Sequence, residues 1–197
     1  MNMSTTLPFK MPDLGAKPDL IFVLAGAEIR KKFGLKLFRE RSLRWILLST
    51  GRFEIRKFTN LELPIKIDLL QIAAPIPPPQ RHFFVCFEAD SVAVERIPLR
   101  RFGTLSEIRA LANWLEGRPE IQRILVVSSA SHLRRVGACC RALLPKRVRS
   151  EMIPVPAELD SEERSEGQVA EFWRKSWIVE FIKILIYGIL LWFRMKI

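Results

Sequence analysis

Three short apolar runs without alternation limit the folds open to this chain. They are residues 19–25 (DLIFVLA), 44–50 (RWILLST) and 122–129 (QRILVVSS). A strand with one face in water alternates apolar and polar residues, whereas a strand covered on both faces has no need to. Residues 28–40, between the first two runs, repeat apolar side chains at helical spacing with Ile29, Phe33, Leu37 and Phe38. Residues 131–144, after the third, do the same with Leu133, Val136, Gly137, Cys140 and Leu144. Repeated strand–helix units build a parallel sheet with helices on both faces. The expected class is α/β, with three layers and a mostly parallel central sheet.

The rest of the chain fits around that frame. Residues 82–88 and 92–97 read as two strands joined by a short turn, which suits a hairpin. Residues 104–116 read as a helix with Ile108, Leu111, Ala112 and Leu115 on one face. Thr104-x-x-Glu107 has the form of a capping box at its start. Residues 148–155 form a last strand. Residues 60–80 hold Pro64, Pro75, Pro77, Pro78 and Pro79 and read as a partly extended connection across the surface. The division is then a tail over 1–17, an α/β domain over 18–160 and a helix over 161–197. Residues 1–17 show no apolar core of a targeting signal. Residues 177–193 are apolar except for Glu180, Lys183 and Gly188, and they are flanked by Arg174, Lys175, Arg194 and Lys196. That stretch is short for a membrane span. It suits a helix packed on the domain, or one lying in an anionic membrane surface.

The formal net charge is +11, and residues 28–57 alone carry ten Lys or Arg against three Glu. Such a surplus attracts polyanions. Nucleic acid is not the expected partner, because zinc-ligand spacing, ribonucleoprotein aromatics and a basic region running into heptads are all missing. Cys86, Cys139 and Cys140 show no metal-ligand spacing. Reduced thiols in a cytoplasm are the simplest reading, and no metal site is expected. The placement expected is cytoplasmic, extending to the inner face of the membrane.

In a sheet of this kind ligands bind beyond the carboxyl ends of the strands. The loop after the first run holds Gly26, Glu28 and Arg30, and the loop after the second holds Gly51, Arg52 and Glu54. The third holds Ser129, Ser131, His132, Arg134 and Arg135. Ser131 stands where a helix cap is expected. Cations just inside a helix start are disfavoured by the helix dipole. An anion held by free backbone N–H groups and arginine forks would accommodate them. The expected partner is therefore an anionic small molecule, with His132 the best candidate for acid or base work. The dinucleotide fingerprint, the phosphate loop and the hydrolase nucleophile elbow are all absent.

The order of these pieces resembles the YdcF-like family of bacterial proteins, a domain of unknown function that includes SanA- and ElyC-type envelope proteins. The resemblance rests on Pro18 to Gly26, on Ile46 to Gly51, on Thr104-Leu105-Ser106-Glu107, and above all on Leu125 to Arg135. It covers residues 18–157. It implies a Rossmann-like three-layer fold with a mostly parallel central sheet, here followed by a long C-terminal helix. It implies a polar pocket at the strand ends, carrying over to Gly26, Gly51, Thr104, Glu107, Ser129, His132 and Arg135; Arg81 lies in a stretch that departs from the family. It further implies a link to cell-envelope or polysaccharide metabolism, with S-adenosylmethionine or a nucleotide as cofactor. Two functions compete at this stage. One is a ligand-binding domain or small enzyme acting on a phosphorylated molecule. The other is a non-catalytic accessory protein held at a membrane by its basic face and residues 177–197.

Overall fold

Strand β1 (Leu20–Val23) is buried along its whole length and lies in the interior of a six-stranded sheet. The computed structural model describes residues 17–88, 90–98, 103–156 and 159. The expected helix over 161–197 and nearly all of the expected tail lie outside the described residues. The other strands are β2 (Trp45–Thr50), β3 (Phe83–Glu88), β4 (Ser91–Arg96), β5 (Arg123–Ser128) and β6 (Arg149–Pro154), in the order β4-β3-β2-β1-β5-β6. β2, β1, β5 and β6 pair in parallel, and β3 is antiparallel to both its neighbours. The three unalternating runs are the three adjacent strands β2, β1 and β5, as double burial requires. The expected hairpin is β3–β4, at one edge.

Successive residues of each strand feed opposite layers. Ile21, Val23, Ile46, Leu48, Leu125 and Val127 face helix α1 (Glu28–Glu40) and the segment after β2. Leu20, Phe22, Trp45, Leu47, Ile124 and Val126 face helices α4 (Gly103–Glu116) and α5 (Leu133–Leu143). Gly34 lets α1 approach β1, since a Cβ there would sit 2.4 Å from Val23 Cγ2. The result is the Rossmann-like three-layer architecture.

Four local expectations need correction. Residues 60–80 do not merely cross the surface. With the short helices α2 (Ile55–Phe58) and α3 (Leu69–Ala73) this segment places Phe58, Leu61, Leu69 and Ala73 in the core. Helix α1 also buries more than one stripe, with Arg30, Lys31 and Leu35 inside as well. Ser131 does not cap α5. The chain first makes a 3-10 turn over Ala130–His132, so Ser131 falls inside the turn and His132 stands at the helix boundary without a side-chain cap. Thr104 and Glu107 do not form a capping box at the helix boundary, because α4 already begins at Gly103 and Glu107 is directed into the sheet. Among the described residues no helix is long and apolar enough to cross a membrane.

Candidate functional site

The strands turn polar at their carboxyl ends. β2 ends in Ser49 and Thr50, and β5 ends in Ser128 followed by Ser129; all four are buried. Buried hydroxyls call for partners. Ser49 Oγ donates to Glu107 Oε1 at 2.6 Å and lies 3.3 Å from His82 Nε2. The same Glu107 oxygen accepts the Ala25 N–H at 3.0 Å. One carboxylate from α4 thus ties the end of β1 to the end of β2. Burial raises the Glu107 pKa above the usual carboxylate range, against the two hydrogen bonds that favour its ionised form.

His82 enters through sheet register. Thr50 pairs with Phe83 across the β2–β3 ladder. This sets the preceding residue beside Gly51, where an added Cβ would meet His82 Cε1 at 3.1 Å and Glu54 Oε1 at 3.2 Å. A larger residue at 51 would have to displace His82 or Glu54 by a few tenths of an ångström. Glu54 accepts the Gly51 N–H at 3.3 Å and forms an ion pair with Lys31, whose side chain is only 3% exposed. Burial, helped by the Lys31 charge, pulls the His82 pKa down to about 4, so its ring is neutral at pH 7.

The sheet order reverses between β1 and β5, which is where open α/β sheets form their crevice. Arg30 spans that point. Its Nε donates to Ser129 Oγ at 3.0 Å and its Nη1 to the Ala25 carbonyl at 2.7 Å. Gly26, between them, has φ of 131°, a conformation that calls for glycine, and a Cβ there would also push on Arg30 Nη1, 2.6 Å away. The Ser129 carbonyl accepts the His132 N–H at 2.9 Å. His132 Nδ1 in turn lies 3.4 Å from Nη2 of the buried Arg135.

Gly26, Arg30, Gly51, Glu54, Glu107, Ser129, His132 and Arg135 therefore belong to one polar network built from all three loops. Other sequence candidates have local roles. Glu28 pairs with Lys32 at 2.8 Å. The Arg52 guanidinium lies over the Phe53 ring at 4.3 Å. Arg81 donates to the carbonyls of Ile76 and Ala74. Thr104 lies in the first turn of α4, Ser131 lies in the 3-10 turn, and Arg134 is exposed. Lys31, Ser49 and His82 are members of the network that sequence reasoning missed. Among the described residues no group of three or more His, Cys, Asp or Glu is placed to hold a metal ion. The three cysteines are free and buried, and burial pushes Cys86 and Cys139 up to about 11 and Cys140 up to about 12. Their thiols stay protonated and unreactive at pH 7. No protein-family model matches the chain, and no curated protein or solved structure matches it either.

The neutral His82 makes the fold sensitive to acid. Its folded pKa of about 4 lies below the ordinary 6.5, so between those values the unfolded chain binds a proton that the folded chain refuses. The stability is fully present above pH 6.5 and falls as the pH drops toward 4, by up to about 3 kcal/mol for such a shift. Glu107 acts with the opposite sign. Its raised pKa gives stability at low pH that is lost as the pH rises through its folded value. Thermal midpoints between pH 7.5 and 4.5 should fall less steeply for His82→Gln than for the unaltered protein. Parallel profiles would assign the acid sensitivity elsewhere.

Proposed function

We propose that this protein binds an anionic small molecule, phosphorylated or nucleotide-like, at the carboxyl edge of β1, β2 and β5. The observation that carries the reading is the gathering of three buried cationic side chains, Arg30, Lys31 and Arg135, at those strand ends. Burying charge is expensive, and apolar residues of similar volume serve stability at least as well. Lys31 is already paired with Glu54 and Arg30 with Ser129 and Ala25, and an anion there would accept further charge-assisted hydrogen bonds from this cationic edge. Support also comes from Thr50 Oγ1 and Ser128 Oγ, buried at the same edge without a hydrogen-bond partner. Buried hydroxyls of this kind suit a site completed by a bound molecule or water. The resemblance to the YdcF-like family adds the direction of the proposal. It points to a ligand among phosphorylated precursors of cell-envelope or polysaccharide metabolism; S-adenosylmethionine, which the resemblance also implies, carries a net positive charge and suits three buried cations poorly.

The test is a thermal-shift series with inorganic phosphate and a nucleoside diphosphate sugar, with S-adenosylmethionine, a net cation, as the contrasting probe that should give no shift. A ligand present at a hundred times its dissociation constant should stabilise the fold by about 2.7 kcal/mol. The double variant His132→Asn, Arg135→Gln should lose that shift while remaining folded. Equal shifts in the variant and the unaltered protein would overturn the assignment.

A further inference from the structure

The hydrogen bonds around Ser49 fix which nitrogen of His82 carries the ring proton, and that decides what the ring offers a ligand. Ser49 has one hydroxyl proton, and it goes to Glu107 Oε1 at 2.6 Å. The same oxygen takes the Ala25 N–H at 3.0 Å, which marks it as the accepting oxygen of the carboxyl. Ser49 Oγ is then left with lone pairs only. His82 Nε2, 3.3 Å from that oxygen, brings the proton of their contact. A neutral imidazole holds one ring proton, so with Nε2 protonated Nδ1 is a bare acceptor. Burial and the nearby Lys31 charge keep the ring neutral, with its pKa lowered to about 4.

Nδ1 has no partner among the described residues, and in this half-buried side chain it reaches solvent. It opens beside Gly51, where a Cβ would lie 3.5 Å from Nδ1 and 3.2 Å from Glu54 Oε1. Glu54 Oε1 takes the Gly51 N–H at a long 3.3 Å and keeps a lone pair to spare. Two acceptors thus border one small space at the end of β2, within an edge whose buried Arg30, Lys31 and Arg135 otherwise donate. An anion built only of acceptors leaves that corner unmet. An anion that also carries hydroxyls fills it.

The sheet order sets the span. β2 and β5 flank β1, so their ends stand two strand spacings apart, about 10 Å. His82 and Glu54 lie at the β2 end, and Ser129, His132 and Arg135 follow β5. A phosphorylated ring with hydroxyls on its far side is of that length.

We propose that the ligand of the strand-end site is a phosphorylated sugar or polyol, its phosphate toward Arg135 and one hydroxyl donating to His82 Nδ1, with Ser49 and Glu107 as positioning residues that hold the ring in its Nε2–H form. The assignment rests on the anion-binding reading above and narrows it to hydroxyl-bearing anions.

Two measurements on the full chain test it. A long-range proton–nitrogen correlation spectrum should show His82 protonated at Nε2 and bare at Nδ1, and Ser49→Ala should let both tautomers appear. Calorimetric titration with glucose 1-phosphate and with cyclohexyl phosphate compares a hydroxylated ring with a bare six-membered ring bearing the same group. Glucose 1-phosphate should bind about ten-fold more tightly, the scale of a well-made hydrogen bond. His82→Phe should bring the two affinities together, whereas Arg135→Gln should weaken both and keep their ratio. Should His82→Phe fail to fold, the spectrum and the two probes on the unaltered chain still decide. Equal affinities for the two phosphates, a ratio that survives His82→Phe, or a ring protonated at Nδ1 would each overturn the hydroxyl assignment and leave the anion reading standing. Failure of both phosphates to bind would overturn the two together.

Discussion

Replacing Lys31 by methionine is expected to destabilise the protein by about 3–5 kcal/mol, the usual result of removing one partner from a buried ion pair. Lys31 is 3% exposed in its side chain and Glu54 16%, so water does little to compensate the orphaned carboxylate. Glu54 would keep only the Gly51 N–H. The variant should also lose stabilisation by phosphate-bearing ligands, because one of the three cations at the strand ends is gone. Urea denaturation of the single variant and of the pair Lys31→Met, Glu54→Met separates the two effects. The double variant should recover much of the stability and none of the ligand response. A single variant costing under about 1 kcal/mol would show that the pair is better solvated than its burial indicates.

Phe22→Ala is expected to cost about 3–5 kcal/mol, the range for emptying an aromatic site in a core that cannot collapse. Phe22 is fully buried in β1, flanked by Leu47 and Val126 on the neighbouring strands. Its ring meets that of Phe84 edge to face, with centroids 5.7 Å apart. Both neighbouring strands are hydrogen-bonded to β1 along its whole length, so the backbone has little freedom to close the void. Phe53→Ala is the natural control. Phe53 is 80% exposed, and its loss should change stability by no more than about 0.5 kcal/mol. Equal losses at the two positions in urea denaturation would refute the assignment of Phe22 to a rigid core.

The sheet was readable in the sequence because double burial removes alternation, and β1, β2 and β5 are the runs that lack it. The site was readable where its residues lie in the loops and first helical turns that follow those strands, as Gly26, Arg30, Gly51, Glu54, Ser129, His132 and Arg135 do, and Glu107 was reached through the family resemblance. Lys31 was hidden in a helix whose charge density suggests a solvated face; the Glu54 loop that covers it is set by tertiary packing. His82 depends on the β2–β3 register, and no local pattern specifies which residue lands beside Gly51. Glu107 was misread as a cap because Thr104-x-x-Glu107 satisfies a local rule while its true partners, Ala25 and Ser49, are far away along the chain. Ser131 missed the cap position of α5 by one residue because a short 3-10 segment over Ala130–His132 precedes the helix.

The contacts that join β1 to the second half of the chain have a kinetic consequence. β2 can reach β1 after a single helix, but β5 returns from far downstream. The Ala25–Glu107 and Arg30–Ser129 hydrogen bonds close loops of 82 and 99 residues. Asp19 likewise holds the N–H of Arg123 across 104 residues. Non-local pairings of this kind slow folding, since loop entropy is lost before the contacts repay it. A nascent chain that has emerged only as far as α4 lacks Ser129, His132 and Arg135 altogether. The strand-end site is therefore complete only in chains whose β5 and α5 have docked on β1, and a ligand that needs Ser129, His132 and Arg135 grips the two halves only after that docking. Such a ligand should slow unfolding while leaving the folding rate nearly untouched.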